Sequence, residues 1–306
     1  MLKTYNLSKT FLSGFFRKKV KALDSLNLEI KPNEIFGFLG PNGAGKTTAI
    51  KLFMGLLKPS EGRVEIFGEQ TDFYKLRQRI GFLPENPYFY DYLTALELLH
   101  YYGQLFRLGK NLRKKRIEEL LELVELQNFA NMRLRNFSKG MLQRLGIAQA
   151  LINDPEFLVL DEPMSGLDPI GRRKIRDIIL DLKAKGKTIF FSTHILWDVE
   201  LICDRVGILA GGKLKNIGDV EEMLRPETGF TEIIFNDISE EGLAEINRNF
   251  HNTEKKGNKV LVRAKNEFET ELALSLAGRK KAKIFSFNPE RQTLENIFIK
   301  ETQKSE

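Results

Sequence analysis

The 306-residue chain has one cysteine, three histidines and one tryptophan. A lone Cys203 rules out an internal disulfide and any cysteine-cluster metal site. With only His100, His194 and His251 besides it, a zinc enzyme is disfavoured. No segment approaches the ~18 uninterrupted apolar residues of a membrane helix. The start, Met1 to Tyr5, also lacks the apolar core of a secretion signal. The expectation is a soluble chain that stays in the cytosol. Hydrophobic residues make up 42% and charged residues 29%, close to the soluble average, which excludes disordered, collagen-like and coiled-coil classes. The length is generous for one domain and short for two full-sized ones, so it predicts one large domain with a small appendage.

The formal charge is +7, and it is uneven: residues 221–306 hold 14 basic and 16 acidic side chains, leaving 34 and 25 on the first 220. An excess of that sign suits nucleic acid, anionic phospholipid or a nucleotide, and charge alone does not choose among them. The basic runs are short (Arg17 to Lys19 with Lys21, Arg113 to Arg116, Arg172 to Lys174, Arg279 to Lys281 with Lys283) and read as solvated faces.

Strand-like and helix-like segments alternate, which predicts an α/β layer architecture. Leu23 to Ile30 alternates apolar and polar residues as a half-buried strand does, and Ile35 to Leu39 is a short apolar run ending at a glycine-rich loop. A helical pattern follows from Thr47 to Leu57, then a strand from Arg63 to Phe67. From about Thr94 to Leu151 the periodicity is helical only, carried by Leu96, Leu99, Leu105, Ile117, Leu120, Leu121 and Val124. Phe157 to Leu160 and Thr188 to Phe191 read as buried parallel strands joined by a helix from Pro169 to Lys185. Beyond Gly218 the texture changes to a small α/β module, with strands at 231–235, 259–262 and 284–287 and helices near 240–247 and 267–277.

The chemistry begins at Gly40-Pro41-Asn42-Gly43-Ala44-Gly45-Lys46-Thr47-Thr48, a phosphate-loop pattern set between a strand and a helix as that motif requires. Its glycines let backbone amides turn inward around phosphate oxygens, and the helix N-terminus adds its positive end. Lys46 then reaches the β- and γ-phosphates and the Thr47 oxygen reaches Mg²⁺. A second piece lies at Asp161-Glu162, two carboxylates at the tip of a buried strand, where ligands sit in open α/β sheets. Asp161 is placed to hold Mg²⁺ and Glu162 to face an attacking water.

Further segments follow in order: Gly81 to Glu85, Phe137 to Met141 with Gln143-Arg144, Ser165 to Asp168, and Ser192-Thr193-His194. Together with the loop and the acid pair they make the chain resemble the ATP-binding subunit of an ABC transporter, over about the first 220 residues. Glu85 stands where the family's Q-loop usually has glutamine, and Ser138-Lys139-Gly140 lies in a variant of the signature segment. Both variants, and Gln292 to Phe298 near the C-terminus, are similar to those of an export-type branch with a C-terminal accessory domain.

The resemblance implies a phosphate-loop NTPase core with a mainly parallel sheet, an antiparallel β subdomain and an all-helical insert at about 88–150. It divides the chain into an ATP-binding domain (1–220) and a small accessory α/β domain (221–306). It implies an ATPase using ATP and Mg²⁺ on the cytoplasmic face of the membrane, with separate transmembrane permease subunits and a head-to-tail dimer of two copies or of this chain and a related ATPase. In that dimer Ser138 and Gly140 of one chain complete the γ-phosphate cage of Lys46, Thr47 and Thr48 in the other. Glu162, His194 and Lys46 are then catalytic, Thr47, Glu85 and Asp161 surround the metal, and Asp168 belongs to the D-loop near the nucleotide. An aromatic stacks on adenine, and Phe11 best matches that place, with Tyr5, Phe15 and Phe16 nearby. Tyr88, Phe89 and Tyr90 open the insert and fit equally a docking groove or the core. The rival reading is a soluble ABC-type ATPase acting on nucleic acid, disfavoured because the chain has one ATPase unit and no long coiled-coil or zinc insertion.

Overall fold

The computed structural model describes residues 1–13, 18–69, 73–225, 231–250, 253–279, 282–289 and 293–303. Phe15, Phe16, His251, Lys280, Lys281 and Gln292 lie outside the described residues. Two compact units are present, Met1–Val220 with the segment that starts at Phe298, and Glu221–Ile297.

The first unit opens with β1 (Leu2–Ser13) and β2 (Lys18–Ile30), followed by β3 (Ile35–Leu39), α1 (Lys46–Phe53), β4 (Glu61–Ile66), the one-turn α2 (Phe73–Leu76) and β5 (Ile80–Leu83). Helices α3 (Ala95–Leu105), α4 (Lys110–Leu123) and α5 (Lys139–Ala150) come next. The chain then alternates through β6 (Phe157–Asp161), α6 (Pro169–Ala184), β7 (Thr188–Thr193), α7 (Leu196–Ile202), β8 (Arg205–Ala210), β9 (Lys213–Asp219) and α8 (Val220–Met223). Strands β2-β1-β4 form an antiparallel sheet, and β5-β6-β7-β3-β8-β9 form a second in which only β9 runs antiparallel to its neighbour. The expected mixed α/β class with a separate antiparallel sheet is therefore what the chain adopts.

Strand composition follows position. β2 buries Leu23, Leu26, Leu28 and Ile30 and turns its charged residues out, whereas every residue of β3, β6 and β7 is buried, as strands covered on both faces must be. Phe190 of β7 sits among three other buried rings, stacked on Phe36 at 6.0 Å, tilted to Phe38 at 5.4 Å and edge-on to Phe53 of α1 at 5.6 Å. Several helix starts are capped by local side chains. Thr94 and Glu97 make a reciprocal capping box on α3, Ser138 caps α5, and Asp168 caps α6 with proline in its first turn.

The second unit runs β10 (Thr231–Asn236), α9 (Glu240–Asn249), β11 (Thr253–Lys256), β12 (Lys259–Ala264), α10 (Glu267–Arg279), β13 (Lys283–Pro289) and into α11 (Leu294–Gln303). Its antiparallel sheet has the order β11-β12-β10-β13. Alternate residues of β10 and β12 (Ile233, Phe235, Val260, Val262) pack with Ile246, Phe250, Ala273 and Leu276 into a core of their own.

Candidate functional site

Strand β3 is an interior strand of the parallel set, paired with β7 on one side and β8 on the other, and the glycine loop leaves its C-terminal tip. Two glycines are required by close approach. A Cβ on Gly40 would stand 2.5 Å from the Leu209 carbonyl oxygen, and one on Gly45, at φ 106°, would stand 2.4 Å from that of Ala22. The loop is thus held against backbone on two sides. No acidic residue occupies the first turn of α1, so the positive end of the helix is left to attract an anion. A cleft of about 330 Å³ opens above it, lined by Pro41, Asn42, Gly43, Gly45, Lys46, Thr47 and Thr48, with Ala22, Glu85 and Glu162. Ala44 of the same loop is buried instead.

The Lys46 side chain is 6% exposed, and its Nζ donates to the carbonyl oxygens of Gly40 (2.6 Å) and Pro41 (3.2 Å) and lies 3.1 Å from Glu162 Oε1. Glu162 Oε2 is 2.9 Å from His194 Nδ1. One buried carboxylate therefore bridges the loop lysine and the histidine after β7, an arrangement that satisfies charges which burial alone would penalise. Asp161, one residue earlier, is also buried. Burial pushes its carboxyl above the ordinary 3.8, against hydrogen bonds from Ser192 and Thr47 that pull it down, and the nearby charges of Glu85 and Glu162 raise it further.

The side chains at the tips of β6 and β7 are locked together. Asp161 pairs with Ser192 in register, and Ser192 Oγ donates to Asp161 Oδ1 at 2.6 Å while accepting from the Glu162 backbone N–H at 2.9 Å. Glu162 has φ 49°, a left-handed backbone unusual for a side chain of its size. From the next residue of β7, Thr193, the carbonyl oxygen accepts from Gly40 N at 3.2 Å and joins the loop to the same strand. In the sequence Ser192 stands only as the start of the segment that ends at His194, with no role of its own, and nothing local marks Ala22 as part of the site. Their partners are distant in the chain, and only the strand register brings them in.

Other expected residues stand elsewhere in this single chain. Ser138 Oγ accepts from Met141 N at 3.2 Å at the start of α5, with Gly140 in the first turn, and neither lines the cleft. Asp168 Oδ1 accepts from Gly171 N at 2.6 Å, so its carboxylate serves as the cap of α6. Phe11 lies opposite Val20 on β2, is 37% exposed, and has Lys9 Nζ 5.4 Å from its ring centroid. It does not line the cleft, although Ala22, two residues beyond Val20, does. Glu85 does line it. No group of three His, Cys, Asp or Glu side chains among the described residues could hold a metal ion, so a cation here would rely on hydroxyl, phosphate and water oxygens besides one or two carboxylates.

The aromatics at the start of the insert divide. Tyr88 and Tyr90 are 88% and 51% exposed while Phe89 is half-buried, which takes the two tyrosines out of the core. A groove of about 350 Å³ runs here, floored by Met54, Phe82, Phe89, Tyr102 and Phe106 and edged by Arg77, Gln149 and Asn153. No helix of the described residues is long and apolar enough to cross a membrane.

Residues 23–165, from β2 past the acid pair, match the family model for the ABC transporter. The chain is 43% identical over 307 residues to an uncharacterized ABC transporter ATP-binding protein of Synechocystis sp., covering 99% of this chain and 85% of that one. It is 46% identical over 219 residues to the bacitracin transport ATP-binding protein BcrA of Bacillus licheniformis, covering 70% and 68%. Among solved structures, the ATP-binding cassette MJ0796, in a dimeric post-hydrolysis state bound to ADP and Pi, superposes with a TM-score of 0.67 at 31% identity, covering 72% of this chain and 99% of that one. These relatives give the nucleic-acid alternative no support. The chain belongs to the ABC transporter family as an ATP-binding subunit, an ATPase coupled to transport.

Proposed function

We propose that this subunit powers an exporter from the cytoplasmic face of the membrane, as a head-to-tail dimer that buries two ATP molecules. The observation that carries the reading is the division of the polar groups. Lys46, Glu162 and His194 meet at the glycine loop, while Ser138, exposed, and Gly140, half-buried, stand at another helix start in the same chain. A second copy supplies the missing wall. The Ser138–Gly140 variant, Glu85 and the C-terminal closing segment support the export branch. Residues 1–220 act as the ATP-binding domain and 221–306 as its accessory domain.

In this reading the backbone amides from Gly43 to Thr48 cradle the β- and γ-phosphates, and Lys46 turns from Glu162 to the incoming phosphate oxygens. Thr47, Asp161 and Glu85 offer the all-oxygen donor set that Mg²⁺ takes, together with substrate phosphates; the ion would supply neutralisation of phosphate charge. Freed of Lys46, the Glu162 carboxylate accepts a proton from the attacking water, and His194 bonds the γ-phosphate and keeps Glu162 aimed. Positioning and charge neutralisation account for most phosphoryl-transfer catalysis, and both are available here. Asp168 stands beside the partner's nucleotide and Phe11 stacks on adenine. The aromatic groove at Tyr88 and Phe89 receives a cytoplasmic segment of the permease, for which an apolar floor with a polar edge is suited.

The test is size-exclusion chromatography with light scattering on the Glu162→Gln protein. A shift from monomer to dimer on adding Mg-ATP is expected, since ATP is bound and not consumed. A protein that binds ATP and stays monomeric overturns the pairing of two copies.

A further inference from the structure

The last two residues of β7, Ser192 and Thr193, and His194 after them touch the site in different ways, and the proposed chemistry uses only His194. Ser192 is the buried one, 0% exposed. Its hydroxyl has a single proton, which goes to Asp161 Oδ1 at 2.6 Å, and it accepts the Glu162 backbone N–H at 2.9 Å. One oxygen thus spans the last residue of the neighbouring strand and the residue after it, 31 and 30 residues away in sequence.

The second of these bonds falls at a demanding point. Glu162 departs from the strand at φ 49°, a conformation that persists only where the surroundings hold it. Its turned backbone is what sends the side chain to Lys46 and His194 instead of along β6. The first bond removes the rotational freedom of the Asp161 carboxyl, which also takes a hydrogen bond from Thr47.

We infer that Ser192 is a positioning residue for hydrolysis, its single hydroxyl setting both the aim of the Asp161 carboxylate toward the metal and the backbone turn that presents Glu162 to water. The inference rests on the roles proposed above for Asp161 and Glu162. It touches no substrate atom itself. Groups that orient metal ligands in this indirect way cost about 10–100-fold in activity or metal affinity when removed.

The test compares Ser192→Ala and Ser192→Thr in the full chain. In Ser192→Ala, kcat should fall about 10–100-fold while the KM for ATP holds. Mn²⁺ binding, read by electron paramagnetic resonance with a non-hydrolysable ATP analogue, should weaken by about tenfold or more. Binding of ATP without metal should be unchanged, and Ser192→Thr, which keeps the hydroxyl, should restore both readouts. A purely structural role would shift ATP binding and melting temperature together and leave the metal no worse off than the nucleotide. Full kcat with normal Mn²⁺ affinity in Ser192→Ala overturns the inference, as does a folded Ser192→Thr that restores neither. Ser192→Cys, close in shape with a much weaker donor, decides in the same way should the alanine variant fail to fold. Asp161→Asn and Glu162→Gln are run alongside. If they hydrolyse ATP normally the reading of the site has failed, and if they are dead while Ser192→Ala is fully active only the positioning role has.

Discussion

Phe190 is the residue on which packing and site geometry most directly meet, and its replacement by alanine can be worked through. The ring is fully buried and has three aromatic neighbours, at 6.0, 5.4 and 5.6 Å between centroids. Truncating a buried phenylalanine to alanine costs about 3–5 kcal/mol, from lost transfer energy and the cavity left behind. Each aromatic pair adds about 0.5–1.5 kcal/mol beyond burial, so this position belongs at the upper end, near 5 kcal/mol. For a unit of this size that lowers Tm by roughly 10–20 °C. Phe190→Leu keeps most of the volume and loses the ring geometry, for about 1.5 kcal/mol. The assay is urea unfolding followed by far-ultraviolet circular dichroism, with the slope checked for constancy. The neighbours of Phe190 are β3, which leads into the loop, and α1, which leaves it. ATP binding should therefore weaken at temperatures where the variant is still folded. A loss below about 1 kcal/mol in Phe190→Ala would refute the claim that this ring anchors the core beneath the site.

Gly45→Ala should abolish ATP binding by calorimetry and destabilise by about 1–3 kcal/mol, because the new methyl meets the Ala22 carbonyl at 2.4 Å in a left-handed backbone; retained binding would show that the loop can move away from β2. Asp161→Asn should remove hydrolysis and yet raise the melting temperature in metal-free buffer at pH 7. Burial raises the Asp161 carboxyl in the folded protein, so the folded state holds this proton more tightly than the unfolded one. Stability is then lost as pH rises from about 3.8 through the raised value. The advantage of the asparagine variant should shrink on acidification toward pH 4, and a variant that melts lower than the parent at pH 7 contradicts the assignment.

The loop, the acid pair and His194 were legible because each stands at the end of a short apolar run, where a change of residue type marks a change of structure. The fully buried β3, β6 and β7 were legible for the same reason. The sequence does not announce β1, whose ladder with β2 shifts register near Leu7 and whose Asn6 takes φ 45°, so its alternation breaks in mid-strand. Helix α1 stops at Phe53 rather than Leu57 because Gly55 turns to φ 62°, where the apolar pattern runs on. The four-residue β5 and the charged β11, Thr253–Lys256, are too short or too polar to carry a period. Glu162 was legible as an acid at a strand tip, but its contact with Lys46 depends on a backbone turn that no composition rule predicts.

The position of β3 has a consequence for how the polypeptide matures. Asn33, at the foot of that strand, gives its N–H to Thr188 Oγ1, 155 residues further on, and Glu34 meets Arg205 at a separation of 171. Both flanking strands of β3 therefore leave the ribosome long after the glycine loop has done so. Contacts of such separation are paid for in loop closure before they give anything back, which slows folding and leaves intermediates with bare strand edges. A nascent chain that ends before β7 holds the whole phosphate-binding segment but has neither neighbour to support it. Competence to handle nucleotide and completion of the sheet around β3 then arrive in a single late step, so a product truncated before β7 should leave both backbone edges of β3 unpaired and behave as a chaperone substrate rather than a weak ATPase.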